Sequence, residues 1–340
     1  MIRAIFYFLR IKTKYVFSYT LKFWRPGAYF ITFPETGQFT PIISEAISRI
    51  MQSYGGVGEI EQFVRRGYEG EDTQKRYIVF NLAGSPTIFV MLSIPKHPIT
   101  VRVAADCAIS AREHLGAHHG SCVLIPLEVG LSDGVYFAIS PYCYPRNRWE
   151  IYRQREQVLT WLSEVARHTV VDSLPEETES EFEHPLLALS QYSQLPKAVK
   201  ALVQEALVEL KTKRWRPRLS LMHNDLHRGN ILSPPPESKS LYPFVIVDWG
   251  GLRLAGNAIN DLIHLAQDLK LSPSQLAPYL KIHCEILKCN PTNVKYYLFS
   301  VFGIFLLNPE ICPYAELAIA LSKSLDYLDL TVAKIMEMNV

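Results

Sequence analysis

Three features that would assign this chain to other classes of protein are missing from its 340 residues. The uncharged stretch 296–309 falls short of the roughly 20 apolar residues that a membrane-spanning helix needs. The six cysteines (107, 122, 143, 284, 289 and 312) include no Cys-x-x-Cys pair, so we expect reduced thiols in the cytoplasm. Charges at Arg3 and Arg10 interrupt the apolar start of the chain, which argues against a secretory leader.

A strong excess of charge of one sign is also missing. The formal net charge is +2, from 35 basic and 33 acidic residues, so the composition does not favour a nucleic acid as partner. Hydrophobic residues make up 48% of the chain and charged residues 20%, which argues against disorder. A folded chain of this length has room for two lobes with a cleft between them.

A basic, aromatic segment, residues 1–34, precedes the patterned part of the chain. It carries six basic residues and no acid, interleaved with Phe, Tyr, Trp and Leu. Such a segment packs on the first lobe as an extension, or lies on an anionic membrane surface or a partner as a peripheral contact. Both readings stay open at this stage, so the expected location is cytoplasmic, with or without membrane contact.

A β-rich region follows. Bursts of β-branched and aromatic residues predict three strands, and a helical pattern then predicts a helix with two further strands behind it. These patterns predict a five-stranded antiparallel sheet with one inserted helix in an N-terminal lobe of residues 35–145. The predicted strands are 77–80, 87–92, 99–103, 123–125 and 135–139, and the predicted helix is 104–115.

Residues 146–340 have a mainly helical pattern, typical of a second and larger lobe. Helices are predicted over 149–169, 186–213 and 260–270, with a short β-rich interruption around 219–247. Six acidic residues lie within 172–183, between two helices. A run of this kind predicts a solvated loop, with an acidic wall for a cationic substrate as the alternative.

The residues that can carry chemistry lie in two polar segments of this second region. Asp225 follows an apolar run and comes five residues before Asn230, a spacing that lets a tight loop direct a carboxylate and an amide oxygen into one cleft. Asp248 ends a second apolar burst, and Gly250 lets the backbone turn away behind it. Phosphoryl transfer needs a carboxylate beside the attacking hydroxyl and oxygen ligands for Mg²⁺. We therefore predict Asp225 as the base, and Asn230 and Asp248 as the metal ligands.

The sequence contains the pattern His-x-Asp-x4-Asn over 223–230, followed by Asp-Trp-Gly over 248–250. This pattern resembles the catalytic and metal-binding loops of the aminoglycoside phosphotransferase and choline kinase families, which are relatives of the protein kinases. The resemblance implies an α+β, two-lobed protein kinase-like fold. In that fold a small antiparallel N-lobe with one helix is joined to a larger, mainly helical C-lobe. The resemblance also implies ATP and Mg²⁺ as cofactors.

Two further residues gain roles from the resemblance. Asp261 matches the later aspartate that, in the family, braces the catalytic loop from the start of a helix. Protein kinases have a lysine two residues after the base, where it touches the transferred phosphoryl, and this chain has His227 there. We place His227 beside Asp225 in the predicted catalytic site.

The resemblance also implies a cation for the α and β phosphates, paired with a glutamate on the following helix. Arg102, in the predicted strand 99–103, and Glu113, eleven residues later, fit this pair. Gly84 and Ser85 at the first predicted hairpin tip are the candidates for backbone contacts to the phosphates. The nucleotide base would then lie against 140–143.

Three other groups of polar residues have simpler interpretations. His223 and His227 lack the glutamate of a His-Glu-x-x-His helix, so we do not predict a metal site there. His114, His118 and His119 are interpreted as solvated residues at a helix end. The basic residues within 211–218 indicate a solvated face, or a guide for an anionic substrate.

Three functions remain open from the sequence. The first is a kinase that transfers the γ-phosphoryl of ATP to a hydroxyl of a small molecule such as an aminoglycoside, amino alcohol or sugar. The second is a kinase of a saccharide or lipid-linked saccharide at a membrane surface, which the basic segment 1–34 favours. The third is a catalytically inactive kinase fold that binds nucleotide, which Arg102 and His227 in place of lysines favour and the intact Asp225 opposes.

Overall fold

The computed structural model describes residues 28–33, 39–65, 74–308 and 314–338. Most of the predicted basic segment, residues 1–27, and Cys312 therefore lie outside the described residues. The chain divides into two compact units. The first contains the described residues up to Arg112 together with Ser121–Arg148 and Ile231–Gly250, and the second contains Glu113–Gly120, Trp149–Asn230 and the described residues from Gly251 onward.

Twelve strands are found in the described residues, and they form one large and two small sheets. The large sheet has the order β1-β2-β3-β4-β6-β5, and the small sheets have the orders β11-β10-β7 and β12-β9-β8. The strands are β1 (Ala28–Phe33), β2 (Val57–Arg65), β3 (Gln74–Asn81), β4 (Pro86–Ser93), β5 (Glu128–Ser132), β6 (Val135–Pro141), β7 (Tyr144–Pro145), β8 (Val171–Asp172), β9 (Arg218–Met222), β10 (Ile231–Ser233), β11 (Val245–Ile246) and β12 (Arg253–Gly256).

Ten α-helices lie in the described part of the chain, and short 3-10 turns and one π-helical turn, Glu179–Glu183, connect some of them. The helices are α1 (Pro41–Gln52), α2 (Thr100–His119), α3 (Arg148–Thr169), α4 (Pro175–Thr178), α5 (His184–Gln191), α6 (Lys197–Lys211), α7 (Ala258–Asp268), α8 (Pro273–Leu287), α9 (Val294–Leu307) and α10 (Tyr314–Glu337). No helix among these is both long and apolar enough to span a membrane.

The first unit is built on the six-stranded antiparallel sheet. Helix α1 buries Ile43, Ile47 and Met51 at helical spacing against one face of the sheet. Strands β3 and β4 alternate into the same core, where Val79 and Val90 are completely buried. The strands predicted at 77–80, 87–92 and 135–139 are confirmed. Strand β1 lies within the predicted basic segment and pairs with β2.

The strand predicted at 99–103 is wrong. Helix α2 begins at Thr100, and it buries Val101, Ala105 and Ala108 at helical spacing. The burial of this apolar stripe outweighs the β propensity of Val101 and its neighbours. The strand predicted at 123–125 is also wrong, because only Val123 makes an isolated bridge, to Ile246.

The second unit is mainly helical. At its centre the rings of Phe182, Trp215 and Tyr297 pack edge to face, with ring centroids 5.3–5.6 Å apart. The predicted helix 149–169 is confirmed. The helix predicted over 186–213 is two helices, α5 and α6, because the chain leaves the helical conformation before Pro196.

The acidic segment 172–183 is not the loop that the sequence predicts. It forms the end of β8, helix α4 and the π-helical turn, and it buries Phe182 completely. Glu181 is 13% exposed and forms an ion pair with Arg253. The apolar anchor at Phe182 and this ion pair give the acidic segment a fixed structure. The predicted α+β class is confirmed, with an antiparallel sheet in one unit and helices in the other.

Candidate active site

The loop that carries Asp225 begins where strand β9 ends. The side chain of Asp261, on helix α7, accepts hydrogen bonds from the backbone N–H groups of His223, at 2.6 Å, and Asn224, at 3.0 Å. Asp261 is only 1% exposed, and burial raises the pKa of its carboxyl to about 7, although the two N–H groups favour the ionised form. The prediction that Asp261 braces this loop from the start of a helix is confirmed.

Within the same unit the loop brings Asp225 and Asn230 together. The amide nitrogen of Asn230 donates to the backbone carbonyl of Asp225 at 2.8 Å and lies 3.5 Å from its Oδ2. The amide of Asn230 is buried, whereas the Asp225 side chain is 56% exposed. The buried amide nitrogen thus fixes the loop, the amide oxygen is the atom that can ligate a cation, and the Asp225 carboxylate is open to a substrate.

His227 stands where the protein kinase motif that the sequence resembles has lysine. Its Nδ1 accepts a hydrogen bond from the backbone N–H of Gly229 at 2.9 Å, which fixes the ring, and its Nε2 lies 3.8 Å from Oδ2 of Asp225. The imidazole is 25% exposed. The structure therefore places the two predicted catalytic side chains, Asp225 and His227, side by side.

Asp248 lies in the first unit, two residues beyond strand β11. Its φ is 64°, in the left-handed region, and its side chain is exposed. The sequence predicted that Gly250 makes the sharp turn here, but Asp248 itself has the left-handed backbone. Strand β10 pairs antiparallel with β11, with Ile231 opposite Ile246. Asn230 is the residue before Ile231 in the chain.

Asn224 and Asp248 have a left-handed backbone conformation that an ordinary turn or helix end does not explain. Among the described residues other than glycine, six have positive φ. Four of these lie where such a conformation is ordinary, in the β5–β6 hairpin turn at Asp133 or just after a helix end at Lys213, Lys270 and Lys288. The other two, Asn224 and Asp248, belong to the two predicted motifs, and strained backbone of this kind is typical of functional sites.

Arg102, the predicted cation for the phosphates, lies in a different secondary-structure element from the one that the sequence predicts. Arg102 lies in the first turn of helix α2, not in a strand, and its side chain is 55% exposed. Its guanidinium donates to the Tyr136 hydroxyl at 3.1 Å and pairs with Asp106 at 3.4 Å. Glu113 is on the same helix, eleven residues further on, which is about 16 Å along the axis. The predicted Arg102–Glu113 ion pair does not fit this geometry.

The turn at Gly84 and Ser85 is a hairpin tip between β3 and β4, as predicted. However, the N–H of Gly84 donates to the Asn81 carbonyl and the N–H of Ser85 donates to the Asn81 side chain, both at 2.9 Å. Gly84 has a φ of 80°, which glycine adopts without strain. Because both N–H groups are used inside the turn, its geometry disfavours the predicted contact with phosphates.

Sequence reasoning missed two residues that support the loop. Asp268, also on α7, accepts a hydrogen bond from the backbone N–H of Arg228 at 2.7 Å. The ring of His264 lies 6.1 Å from the ring of His227, between centroids. Asp261, His264 and Asp268 follow one another at i, i+3 and i+7, so the polar face of one helix is the signal that could have identified them.

Gly251 also supports the loop, through its lack of a side chain. A Cβ at this position would lie 3.1 Å from the carbonyl oxygen of His223 and 3.2 Å from Cβ of Asn224. At the neighbouring Gly250, a Cβ would meet its nearest atom, Cβ of Ala104, at an ordinary 3.7 Å. The close approach behind the loop therefore favours glycine at 251, whereas 250 has room for a Cβ.

Comparison with solved structures reveals kinases of small molecules. The chain is similar to choline kinase LicA from Streptococcus pneumoniae, with 12% identity, 85% of this chain and 99% of that chain covered, and a TM-score of 0.45. LicA in complex with AMP gives 12% identity, 84% and 98% coverage, and a TM-score of 0.43. An ethanolamine kinase from Plasmodium vivax gives 13% identity, 78% and 79% coverage, and a TM-score of 0.32. No protein-family model and no curated protein matches the chain.

Proposed function

We propose that this chain is a phosphotransferase that moves the γ-phosphoryl of ATP to a hydroxyl of a small molecule such as an aminoglycoside, an amino alcohol or a sugar. The observation that supports this most is the loop in which Asp225 contacts Asn230 while the buried Asp261 holds the two preceding N–H groups. Phosphoryl transfer depends mainly on positioning and electrostatics, so a rigid loop with an exposed carboxylate suits it.

In this proposal Asp225 accepts or orients the proton of the attacking hydroxyl. Its carboxylate is more than half exposed and can therefore reach a substrate hydroxyl. His227, with Nε2 3.8 Å from that carboxylate, contacts the transferred phosphoryl in place of a lysine.

Mg²⁺ is the metal that the donor chemistry fits. The amide oxygen of Asn230 and the carboxylate of Asp248 are hard oxygen donors, which Mg²⁺ prefers, and they would hold the ion together with phosphate oxygens of ATP. Bound Mg²⁺ neutralises charge that develops on the phosphates. We assign both ligands from the sequence motifs. The buried amide nitrogen of Asn230 supports this role, because its use inside the loop leaves the oxygen for the cation.

The nucleotide contacts in the first unit rest on the sequence alone. Arg102 stays the proposed cation for the phosphates, because its guanidinium is exposed at the start of α2. Glu113, Gly84 and Ser85 stay sequence-based candidates. Backbone groups of 140–143 stay the candidates for the adenine contact.

Two measurements on one set of proteins test the proposal. The first is ADP release in a screen of aminoglycosides, amino alcohols and sugars, and the second is binding of ATP with and without Mg²⁺. For Asp225→Asn we expect turnover to fall by roughly 10² to 10⁴, as for loss of a general base, with MgATP binding near that of the parent. The matched control is Asp326→Asn, an exposed aspartate on α10.

Three outcomes would count against the proposal. If MgATP does not bind, the nucleotide part is wrong. If it binds but no acceptor increases ADP release, the inactive nucleotide-binding fold becomes the better account. If Asp225→Asn turns over like the control, Asp225 is not the base.

A further inference from the structure

A cluster of histidine and glutamate side chains includes none of the residues proposed for phosphoryl transfer. His118 and His119, at the end of helix α2, were predicted to be solvated residues at a helix end. His118 is exposed, but the side chain of His119 is only 17% exposed and lies against helix α3 of the same unit. There Nδ1 of His119 is 3.8 Å from Oε2 of Glu164.

A change of backbone direction at Gly116 positions the two histidines of this cluster. Gly116 has φ 66° and ψ −172°, a combination that glycine alone adopts readily. The helix breaks there, so the three residues that follow take a new direction. The indole Nε1 of Trp161, on α3, donates to the carbonyl of His119 at 3.1 Å. The segment that carries the two histidines is therefore anchored to α3 through its backbone.

Helix α3 supplies two more donors. Glu164 and His168 are four residues apart and therefore share one face of the helix, the spacing at which two helical side chains can bind one metal ion. The ring of His168 is 5.5 Å from the ring of His119, and the ring of His118 is 4.8 Å from it, between centroids. The ring of His119 is thus flanked by two further imidazoles, and the Glu164 carboxylate lies beside it.

The distances suit a small divalent ion. One ligand atom each from His118, His119 and Glu164 lies within 4.8 Å of the other two. Zn²⁺ binds imidazole nitrogen and carboxylate oxygen at about 2.0–2.2 Å in a tetrahedral arrangement, so its ligand atoms lie about 3.3 Å apart. Shortening ligand-atom separations of up to 4.8 Å to that value takes a shift of about 1 Å for each atom. Glu164 is 39% exposed, which leaves a path for the ion.

We propose that His118, His119 and Glu164 bind a divalent transition-metal ion of the zinc class, with His168 as the fourth ligand. Each imidazole donates a nitrogen lone pair and the carboxylate donates an oxygen, and no bond is broken and no group is oxidised. Imidazole donors favour Zn²⁺ over Mg²⁺, which prefers oxygen. The ion links the segment after Gly116 to helix α3, so its role is to fix that connection.

The test is metal binding by the full chain, measured by titration calorimetry with Zn²⁺ and by visible absorption with Co²⁺. We expect one ion per chain, and a Co²⁺ spectrum of nitrogen and oxygen ligands without a thiolate charge-transfer band. The variants are His118→Ala and Glu164→Gln, both at partly exposed side chains, and the matched control is His114→Ala, an exposed histidine on the same helix.

Affinity should fall by about tenfold or more in the two variants and stay at the parent value in the control. Zn²⁺ should raise the melting temperature of the parent and the control by more than that of Glu164→Gln. The proposal is overturned if the parent binds no Zn²⁺, if His118→Ala and Glu164→Gln bind it like the control, or if the Co²⁺ spectrum shows thiolate ligation. Far-UV circular dichroism of each variant verifies that it is folded.

Discussion

The carboxylate of Asp261 contacts the backbone nitrogen of His223 at 2.6 Å, and this contact joins the start of helix α7 to the loop that carries Asp225. The second oxygen of the same carboxylate accepts from Asn224 at 3.0 Å. One buried side chain therefore holds two successive N–H groups immediately before the proposed base. The rigidity of the loop depends on a residue that need not touch a substrate.

Asp261→Ala should reduce both stability and turnover. It leaves the N–H groups of the buried His223 and the partly buried Asn224 without this acceptor, and a fully buried unpaired N–H costs about 1–3 kcal/mol. Asp261→Asn retains one acceptor oxygen and should lie between the parent and the alanine variant. Urea denaturation and ADP release on one acceptor measure the two effects, with Asp326→Asn as control. Parent-like turnover in Asp261→Ala would show that the brace has no part in the reaction.

Gly251→Ala should reduce turnover more than it reduces stability. Its new methyl group would press on the carbonyl of His223 and on Asn224, which must move by a few tenths of an ångström. Gly250→Ala is the matched control, because the methyl group there meets only Ala104 at an ordinary distance. Steady-state kinetics and thermal melting of both variants check this prediction. Equal effects of the two substitutions would mean that crowding of the loop is not the cause.

Asp248→Asn should weaken Mg²⁺-dependent binding of ATP, and excess Mg²⁺ should restore part of it, because one charged oxygen ligand becomes neutral. Asp225→Asn should not have this effect. Titration of ATP at several Mg²⁺ concentrations separates the two variants. If Asp248→Asn binds MgATP as tightly as the parent does, the proposed metal role of Asp248 is wrong.

Arg102→Ala should weaken ATP binding more than Arg102→Lys does. The lysine keeps the positive charge that attracts the phosphates and loses only the two-pronged hydrogen bonding of the guanidinium. Stability should change little, since the side chain is exposed and its ion pair with Asp106 is a surface pair. Arg49→Ala is a suitable control, because Arg49 is an exposed arginine paired with Glu128 in the same unit. Unchanged affinity in Arg102→Ala would direct the search to another basic residue.

His283 should make the protein sensitive to acid. Burial lowers the pKa of His283 to about 4, and its Nδ1 lies 3.0 Å from the carbonyl of Tyr279. The unfolded chain takes up a proton near pH 6.5 but the folded chain does not. The contribution of His283 to the free energy of unfolding is therefore fully present above pH 6.5 and is lost as the pH falls toward 4. The loss from this group is about 3 kcal/mol.

His283→Gln should remove that part of the pH dependence, whatever its stability at pH 7. Urea denaturation at intervals between pH 4 and 7 measures the slope for the parent and the variant. His114→Gln, at an exposed histidine, should keep the parent slope. The same slope in the parent and His283→Gln would contradict the assignment.

The sequence predicts best where function depends on local spacing. The five-residue spacing from Asp225 to Asn230 predicts their contact, and the resemblance predicts the brace by Asp261. The sequence predicts the structure less well at Val101, where the local β propensity and the helical burial pattern point to different structures.

Contacts between distant segments are also beyond local patterns. The approach of His119 to Glu164 depends on the backbone break at Gly116 and on the Trp161 hydrogen bond. The acidic residues of 172–183 predict a loop because the pattern of charge conceals one apolar anchor, Phe182.

The chain passes from one compact unit to the other at 112/113, 120/121, 148/149, 230/231 and 250/251. Neither unit is therefore a continuous piece of the gene. A fragment that ends at Arg148 would lack β10, the strand that pairs with β7. Recombination at a single crossover cannot exchange one unit and leave the other intact.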